Sequence, residues 1–263
     1  MQPSEDGPRL YAFRCGGERV PGSLIDPFGD ERGETLFLPY FFYYLQCRAG
    51  RVLFDCGPHP DLATDPAARI GKGAEMSDVH VALGDDVGSK LRGIGVDPQS
   101  VDLVALSHLH YDHCGGLEQL TGADVYVQAN ELSFAGSPPS YQRDAYVGAD
   151  FASVEASKWR QLHGELDLLG DGTLLLFPTP GHSAGHQSLL ARLKTRTIVL
   201  VGDAAYDPVK MRERRLPGYL WNPDKVIETW ERLEELERSE GAELVLSHYV
   251  NPGMPLAPER WFS

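Results

Sequence analysis

Short apolar runs dominate the start of the chain. Leu10–Cys15, Tyr40–Cys47 and Val52–Asp55 are rich in aromatic and aliphatic residues and predict strands, the last two joined as a hairpin by the turn at Arg48–Arg51. Around Asp85 the period changes. Leu83, Val87, Leu91 and Ile94 recur at helical spacing, and Gly95 followed by Asp97 and Pro98 supplies a stop before a strand at Val101–Leu106. Further strands are predicted at Asp124–Gln128, Leu174–Phe177, Ser188–Arg192, Thr197–Val201 and Glu243–Leu246. The clearest helix begins at Pro223 with Asn222 as its cap. Val226, Ile227, Trp230, Leu233 and Leu236 form its apolar stripe, which ends before Gly241. Residues 129–168 are polar, dotted with aromatics and partly helical, and predict an insertion or lid over a binding site. Hairpins first and strand–helix alternation later indicate an α/β chain with mixed sheets covered by helices.

With 263 residues, no repeat and no linker-like segment, the expectation is one domain spanning 1–263. A net charge of −14 opposes phosphate over most of the surface, so nucleic acid is not an expected partner. The local basic run Lys210–Arg215 remains a candidate anchor for an acidic substrate, although a solvated face is the plainer reading. No stretch approaches the ~18 apolar residues of a membrane span, and the first residues lack a basic segment followed by an apolar one. A soluble cytoplasmic protein without a membrane partner is expected, with a homodimer left open. Cys15, Cys47, Cys56 and Cys114 lie far apart without a C-x-x-C pair, which reads as free thiols.

The chemistry concentrates in Leu106-Ser-His-Leu-His-Tyr-Asp-His-Cys-Gly-Gly116, where three histidines and an aspartate occupy six positions. A continuing strand would aim alternate side chains to opposite faces, so convergence requires a loop running into the Gly115–Gly116 turn. Imidazoles with a carboxylate among them form a metal-ligand set that suits one or two divalent ions. Distant segments add to it: Thr179-Pro-Gly-His182-Ser-Ala-Gly-His186, Val201-Gly-Asp203 and Leu246-Ser-His248. Asp55, His108, Asp203 and His248 each fall at or just past the end of a predicted strand, where loops from neighbouring strands converge.

The set H-x-H-x-D-H, "TPGHSAGH", "GDAAY" and the late "SH", preceded by "VLFDCG" with Cys56 where threonine is usual, resembles the metallo-β-lactamase-fold superfamily over nearly the whole chain. The resemblance implies an αβ/βα sandwich of two mixed β-sheets flanked by helices, with metals at its open edge. By position it implies that His108, His110 and His182 hold one divalent metal ion, that Asp112, His113 and His248 hold a second, and that Asp203 bridges them. Asp55 would orient a ligand from behind. His59, His80, His163 and His186 match no ligand position and are assigned to surface, packing or supporting roles. Zinc is the foremost metal, with iron, manganese and cobalt accepted by the same ligands.

Within the superfamily the chain is similar to the lactonase branch, that of N-acyl homoserine lactonases and pyridoxolactonase-like enzymes. The similarity rests on "SHLHYDHCGG", "TPGHSAGHQSL", the D-x-x-Y of Asp203–Tyr206 and the strand "LFLPYFFYYL". Zinc lactamases usually carry cysteine at the position of Asp203, diiron oxygen reductases carry glutamate at that of His110, and glyoxalase II proteins extend well beyond the last histidine. The implied function is hydrolysis of a lactone, N-acyl homoserine lactones foremost, by hydroxide generated at the metals. Tyr206 would donate to the oxyanion and Asp112 would pass a proton to the leaving alkoxide. The alternatives are another ester, a phosphotriester or a β-lactam as substrate, or a non-catalytic metal-stabilised binding protein. The branch commonly places aspartate after the last histidine, where this chain has Tyr249, with Asn251 a candidate replacement. The aromatics Phe41, Phe42, Tyr43, Phe134, Tyr141, Tyr146, Phe151 and Trp159 are expected around the substrate.

Overall fold

Two mixed sheets stack face to face in the computed structural model, which describes residues 7–48, 50–248, 256 and 258–263. Tyr249 and Asn251 lie outside the described residues. The first sheet is built on β1 (Arg9–Pro21), β2 (Thr35–Cys47) and β3 (Gly50–Phe54), with β4 (Asp78–His80) paired to β1. It continues through β5 (Leu103–Ala105), β6 (Asp124–Gln128) and β7 (Trp159–Leu162), which run parallel to one another and to β3. The second contains β8 (Leu166–Asp167), β9 (Leu174–Pro178), β10 (Gln187–Arg192), β11 (Thr197–Gly202) and β12 (Glu243–Leu246). A short β13 (Trp261–Phe262) closes the edge of the first sheet against β1.

The layers explain why β2 reads as an unbroken apolar run rather than an alternating one. Tyr40, Phe42 and Tyr44 face the outer core of the first sheet, while Phe41, Tyr43 and Leu45 face the layer between the sheets. Both faces are buried, so both must be apolar. The inner layer is completed by Leu176, Leu189, Ile198, Leu200 and Val245 from the second sheet.

Helices cover both outer faces. They are α1 (Pro66–Ile70), α2 (Gly73–Met76), α3 (Val87–Gly93), α4 (Tyr111–Cys114), α5 (Ala129–Gly136), α6 (Gly148–Ala152), α7 (Pro208–Arg212) and α8 (Pro223–Glu240). The last matches its sequence signals: Asn222 Oδ1 accepts from the Lys225 amide at 3.1 Å, and Gly241 ends the helix in the left-handed region. Val226, Trp230 and Leu233 pack on Val199, Val201 and Leu244, each such burial contributing about 1.5–3 kcal/mol.

Four differences from the sequence reading have physical causes. Leu83 is not on a helix but 82% exposed, because Asp86 caps α3 and starts it only at Val87. The expected strand Val101–Leu106 pairs only over Leu103–Ala105. Strands β4, β7, β8 and β13 are two to four residues long, too short to show a period. Residues 129–168 contribute β7 to the edge of the first sheet and β8 to that of the second, besides helices α5 and α6.

Candidate metal centre

The seven candidate ligands and Asp55 arrive at one edge of the sandwich. β3 runs into Asp55, β5 leads into His108 and His110, α4 carries Asp112 and His113, and the β9–β10 connection carries His182. β11 runs into Asp203, and β12 runs into His248. The loop after β5 lasts only to His110, whose backbone then starts the single helical turn of α4. Gly115 and Gly116 do not form a left-handed turn; both are needed for close approach. A Cβ on Gly115 would stand 2.3 Å from the His59 amide nitrogen, and one on Gly116 would stand 2.4 Å from the Cys56 carbonyl oxygen.

The first cluster is purely imidazole. His108 Nε2 and His182 Nε2 lie 2.9 and 3.1 Å from His110 Nδ1. Three nitrogens bound at about 2.0–2.1 Å to a tetrahedral ion stand about 3.3 Å apart, so the spacing fits one cation. Burial, reinforced by the neighbouring histidines, holds His108 well below its usual pKa, and burial holds His182 at about 4. Proton-free lone pairs therefore converge on one point, a donor set that suits a divalent ion.

The second cluster mixes charge. His113 Nε2 lies 3.1 Å from both Asp112 Oδ2 and Asp203 Oδ1, and His248 Nε2 lies 3.1 Å from Asp203 Oδ2 and 3.4 Å from Asp112 Oδ2. Asp203 Oδ2 is also 3.7 Å from His182 Nε2, so this carboxylate spans the two clusters. Burial alone would depress His113 and His248, yet the carboxylates outweigh it and raise both, His248 to about 9. His113 Nε2 is buried and without a hydrogen-bond partner, which a metal ion would satisfy.

The outward nitrogens are anchored, and this sets the tautomers. His113 Nδ1 donates to Asp55 Oδ2 at 2.8 Å and His248 Nδ1 to the Pro39 carbonyl at 2.9 Å, leaving each Nε2 facing the centre. Asp55, in the left-handed region at φ 59°, also accepts from the Ser107 amide and hydroxyl, and Ser107 Oγ reaches His108 Nδ1 at 2.9 Å. Ser247 Oγ donates to Asp203 Oδ1 at 2.6 Å. The Tyr206 hydroxyl bridges Asp203 Oδ2 at 3.2 Å and His182 Nδ1 at 3.1 Å; burial first, then the Asp203 charge, keeps the phenol protonated.

Of three supporting residues, Glu131 and Glu18 escape the sequence reading, which left His186 open between surface, packing and supporting roles. His186 is buried, 2.8 Å from Thr179 Oγ1, and accepts the Asp203 amide. Glu131 on α5 is fully buried and accepts from the Leu109 and Gly185 amides and the Ser183 and Tyr146 hydroxyls, clasping both histidine loops. Glu18 lines the cavity over the centre. Glu131 and Glu18 are lone residues with remote partners and have no local signal. Of the remaining histidines, His59 pairs with Glu118 and His80 with Asp78, away from the centre.

The aromatic expectations divide. Phe41, Phe42 and Tyr43 are core, and Phe134, Phe151 and Trp159 pack against it. Tyr141 lines the cavity, and Tyr146 sets its ring edge-on to that of His110 at 4.5 Å. The basic run is not an anchor: Lys210 pairs with Glu31, Arg212 with Glu237, Arg214 with Glu234 and Arg215 with Asp26.

The metallo-beta-lactamase superfamily profile matches residues 24–248. The chain belongs to this superfamily. Among superfamily relatives, it is 32% identical over 248 residues to the N-acyl homoserine lactonase AttM of Azorhizobium caulinodans, covering 91% of this chain and 92% of that protein. It is 33% identical to the N-acyl homoserine lactonase AttM of Agrobacterium fabrum at the same coverage. Its superfamily fold is shared with a solved N-acyl homoserine lactone hydrolase holding N-hexanoyl-L-homoserine at its catalytic metal centre. That match has a TM-score of 0.81 and 23% identity, over 92% of this chain and 94% of the other.

Proposed function

We propose that this chain is a dinuclear metal-dependent hydrolase that opens lactone rings, with N-acyl homoserine lactones the favoured substrates. The observation that carries the reading is the shared carboxylate. Asp203 spans an all-imidazole cluster and a mixed one at the floor of a cavity whose walls include Val20, Leu24, Ile25 and Leu38. The polar floor suits an ester and the apolar wall an acyl chain. The names of the curated relatives favour the same substrate class.

His108, His110 and His182 would hold one ion, Asp112, His113 and His248 the other, and Asp203 both. Two divalent ions supply Lewis acidity at the carbonyl and bring the pKa of bound water toward neutrality. Zinc suits this imidazole-rich set. Asp112 faces the cavity, takes the proton of the attacking water and delivers it to the ring oxygen as the acyl–oxygen bond breaks. Tyr206, protonated and on the cavity wall, donates to the carbonyl oxygen as charge develops there. The products are a free hydroxyl and a carboxylate, with one proton released. The buried thiols Cys15, Cys56 and Cys114 suit a reducing, cytoplasmic compartment. Among the described residues no helix is long and apolar enough to cross a membrane.

The test is proton release by metal-replete protein on a panel of acyl homoserine, aliphatic and aromatic lactones, phosphotriesters and β-lactams. Ring opening of the acyl homoserine lactones with the highest kcat/KM is expected. A phosphotriester or β-lactam preferred over every lactone by about tenfold or more, about 1.4 kcal/mol in the transition state, would overturn the reading.

A further inference from the structure

Two carboxylates lining the cavity, Glu18 and Asp144, belong to neither metal cluster. Glu18 sits on β1, past the bulge that breaks its register with β2 between Arg14 and Gly17. Its Oε2 accepts the Tyr111 hydroxyl at 3.0 Å, and Tyr111 lies 3.2 Å from the Tyr40 hydroxyl. Tyr111 both packs in the outer core and lines the cavity. The cavity wall also includes the apolar residues Val20, Leu24, Ile25 and Leu38. No lysine or arginine is among the described residues lining the cavity, and Glu18 makes no ion pair among the described residues.

A carboxylate has room for roughly four donors, and Tyr111 and Ser77 occupy two of the positions. Burial raises the pKa of Glu18, with Asp112 adding to it against the hydrogen bonds from Ser77 and Tyr111. A carboxylate with acceptor positions left open toward a substrate cavity is matched by a donor on whatever fills that cavity. The same charge repels a substrate carboxylate.

We propose that Glu18 determines specificity: its carboxylate accepts a hydrogen bond from an N–H or O–H carried beside the lactone ring. The cavity thereby selects lactones bearing a secondary amide over alkyl lactones, and disfavours lactones bearing a carboxylate. This rests on the lactone-hydrolase reading and goes beyond it by assigning the group that reads the amide.

The experiment compares N-hexanoyl homoserine lactone with an alkyl γ-lactone of matched length, using metal-replete wild type, Glu18→Gln and Glu18→Leu. The ratio of kcat/KM, amide over alkyl, should fall at least about tenfold in Glu18→Leu and less in Glu18→Gln, which keeps a carbonyl acceptor. In parallel, calorimetry with the N-hexanoyl amino-γ-butyrolactam reads binding without turnover, and Glu18→Leu should weaken it by a similar factor. A ratio held within about twofold, equal losses on both lactones, or unchanged lactam binding would overturn the proposal. If no lactone opens at all, the lactonase reading fails, while the lactam arm still decides whether Glu18 reads the amide.

Discussion

The backbone amide of Asp203 donates to Nε2 of His186 at 3.0 Å, so the carboxylate that spans both metal clusters is held by a histidine that ligates neither. The other ring nitrogen of His186 meets Thr179 Oγ1, which also contacts Ser188 Oγ, and Ser188 in turn donates to the Val201 carbonyl. Burial holds His186 at about 3, so it stays neutral and able to accept the amide. The chain of contacts ties β10 to β11 at the point where Asp203 leaves the sheet.

Replacing His186 with alanine leaves the buried Asp203 amide without an acceptor, at a cost of about 1–3 kcal/mol. Asp203 then loses its orientation, and metal affinity should fall about 10- to 100-fold. Chelator competition measures the affinity and thermal unfolding the stability. An unchanged metal affinity would show that His186 only packs.

Gly202 precedes Asp203 at φ 60°, and a Cβ there would stand 2.7 Å from His186 Nε2 and 3.0 Å from Ser107 Cβ. Gly202→Ala should therefore destabilise the fold by about 1–3 kcal/mol, through backbone strain and displacement of both neighbours. The urea midpoint at constant slope reads this; a shift worth less than about 0.5 kcal/mol contradicts it.

Metal uptake should release protons. Without metal, His248 is raised to about 9 and His113 well above its usual value, so both are protonated at neutral pH. Metal must displace those protons from Nε2, so affinity rises with pH until about 9. The metal-free protein has the opposite trend. The His248 contribution to its stability is full below the ordinary value of 6.5 and is lost as pH rises through about 9. Calorimetry in buffers of differing ionisation enthalpy counts the protons. Release of none at pH 7 would refute the protonated pair.

Tyr206→Phe removes the hydroxyl that bridges Asp203 and His182 on the cavity wall. A lost oxyanion donor lowers kcat by about 10²- to 10³-fold. The variant should retain its metal by elemental analysis. Loss of metal in proportion to activity would make Tyr206 a holder of ligands and not a donor to the substrate.

The candidate ligands were readable because four of them crowd into His108–His113, His182 and Asp203 each follow a glycine, and His248 closely follows a strand, patterns that survive without coordinates. Leu83 misled because apolar spacing says nothing of where a cap begins the helix, and Asp86 begins it three residues later. The run Lys210–Arg215 looked like a free basic patch because its acidic partners, Asp26, Glu31, Glu234 and Glu237, are distant in sequence.

Local order of residue types determined an α/β chain with mixed sheets and the dense His/Asp segments, because hydrophobic period and ligand density are properties of neighbouring residues; the sandwich and the seven candidate ligands of two metals followed from the resemblance those motifs carry. Tertiary structure alone decided that Glu131 joins two loops, that His186 supports Asp203 and that Glu18 faces the cavity. Their partners lie 15 to 54, 17 and 93 positions away, and a single polar residue acquires meaning only from the groups the fold brings to it.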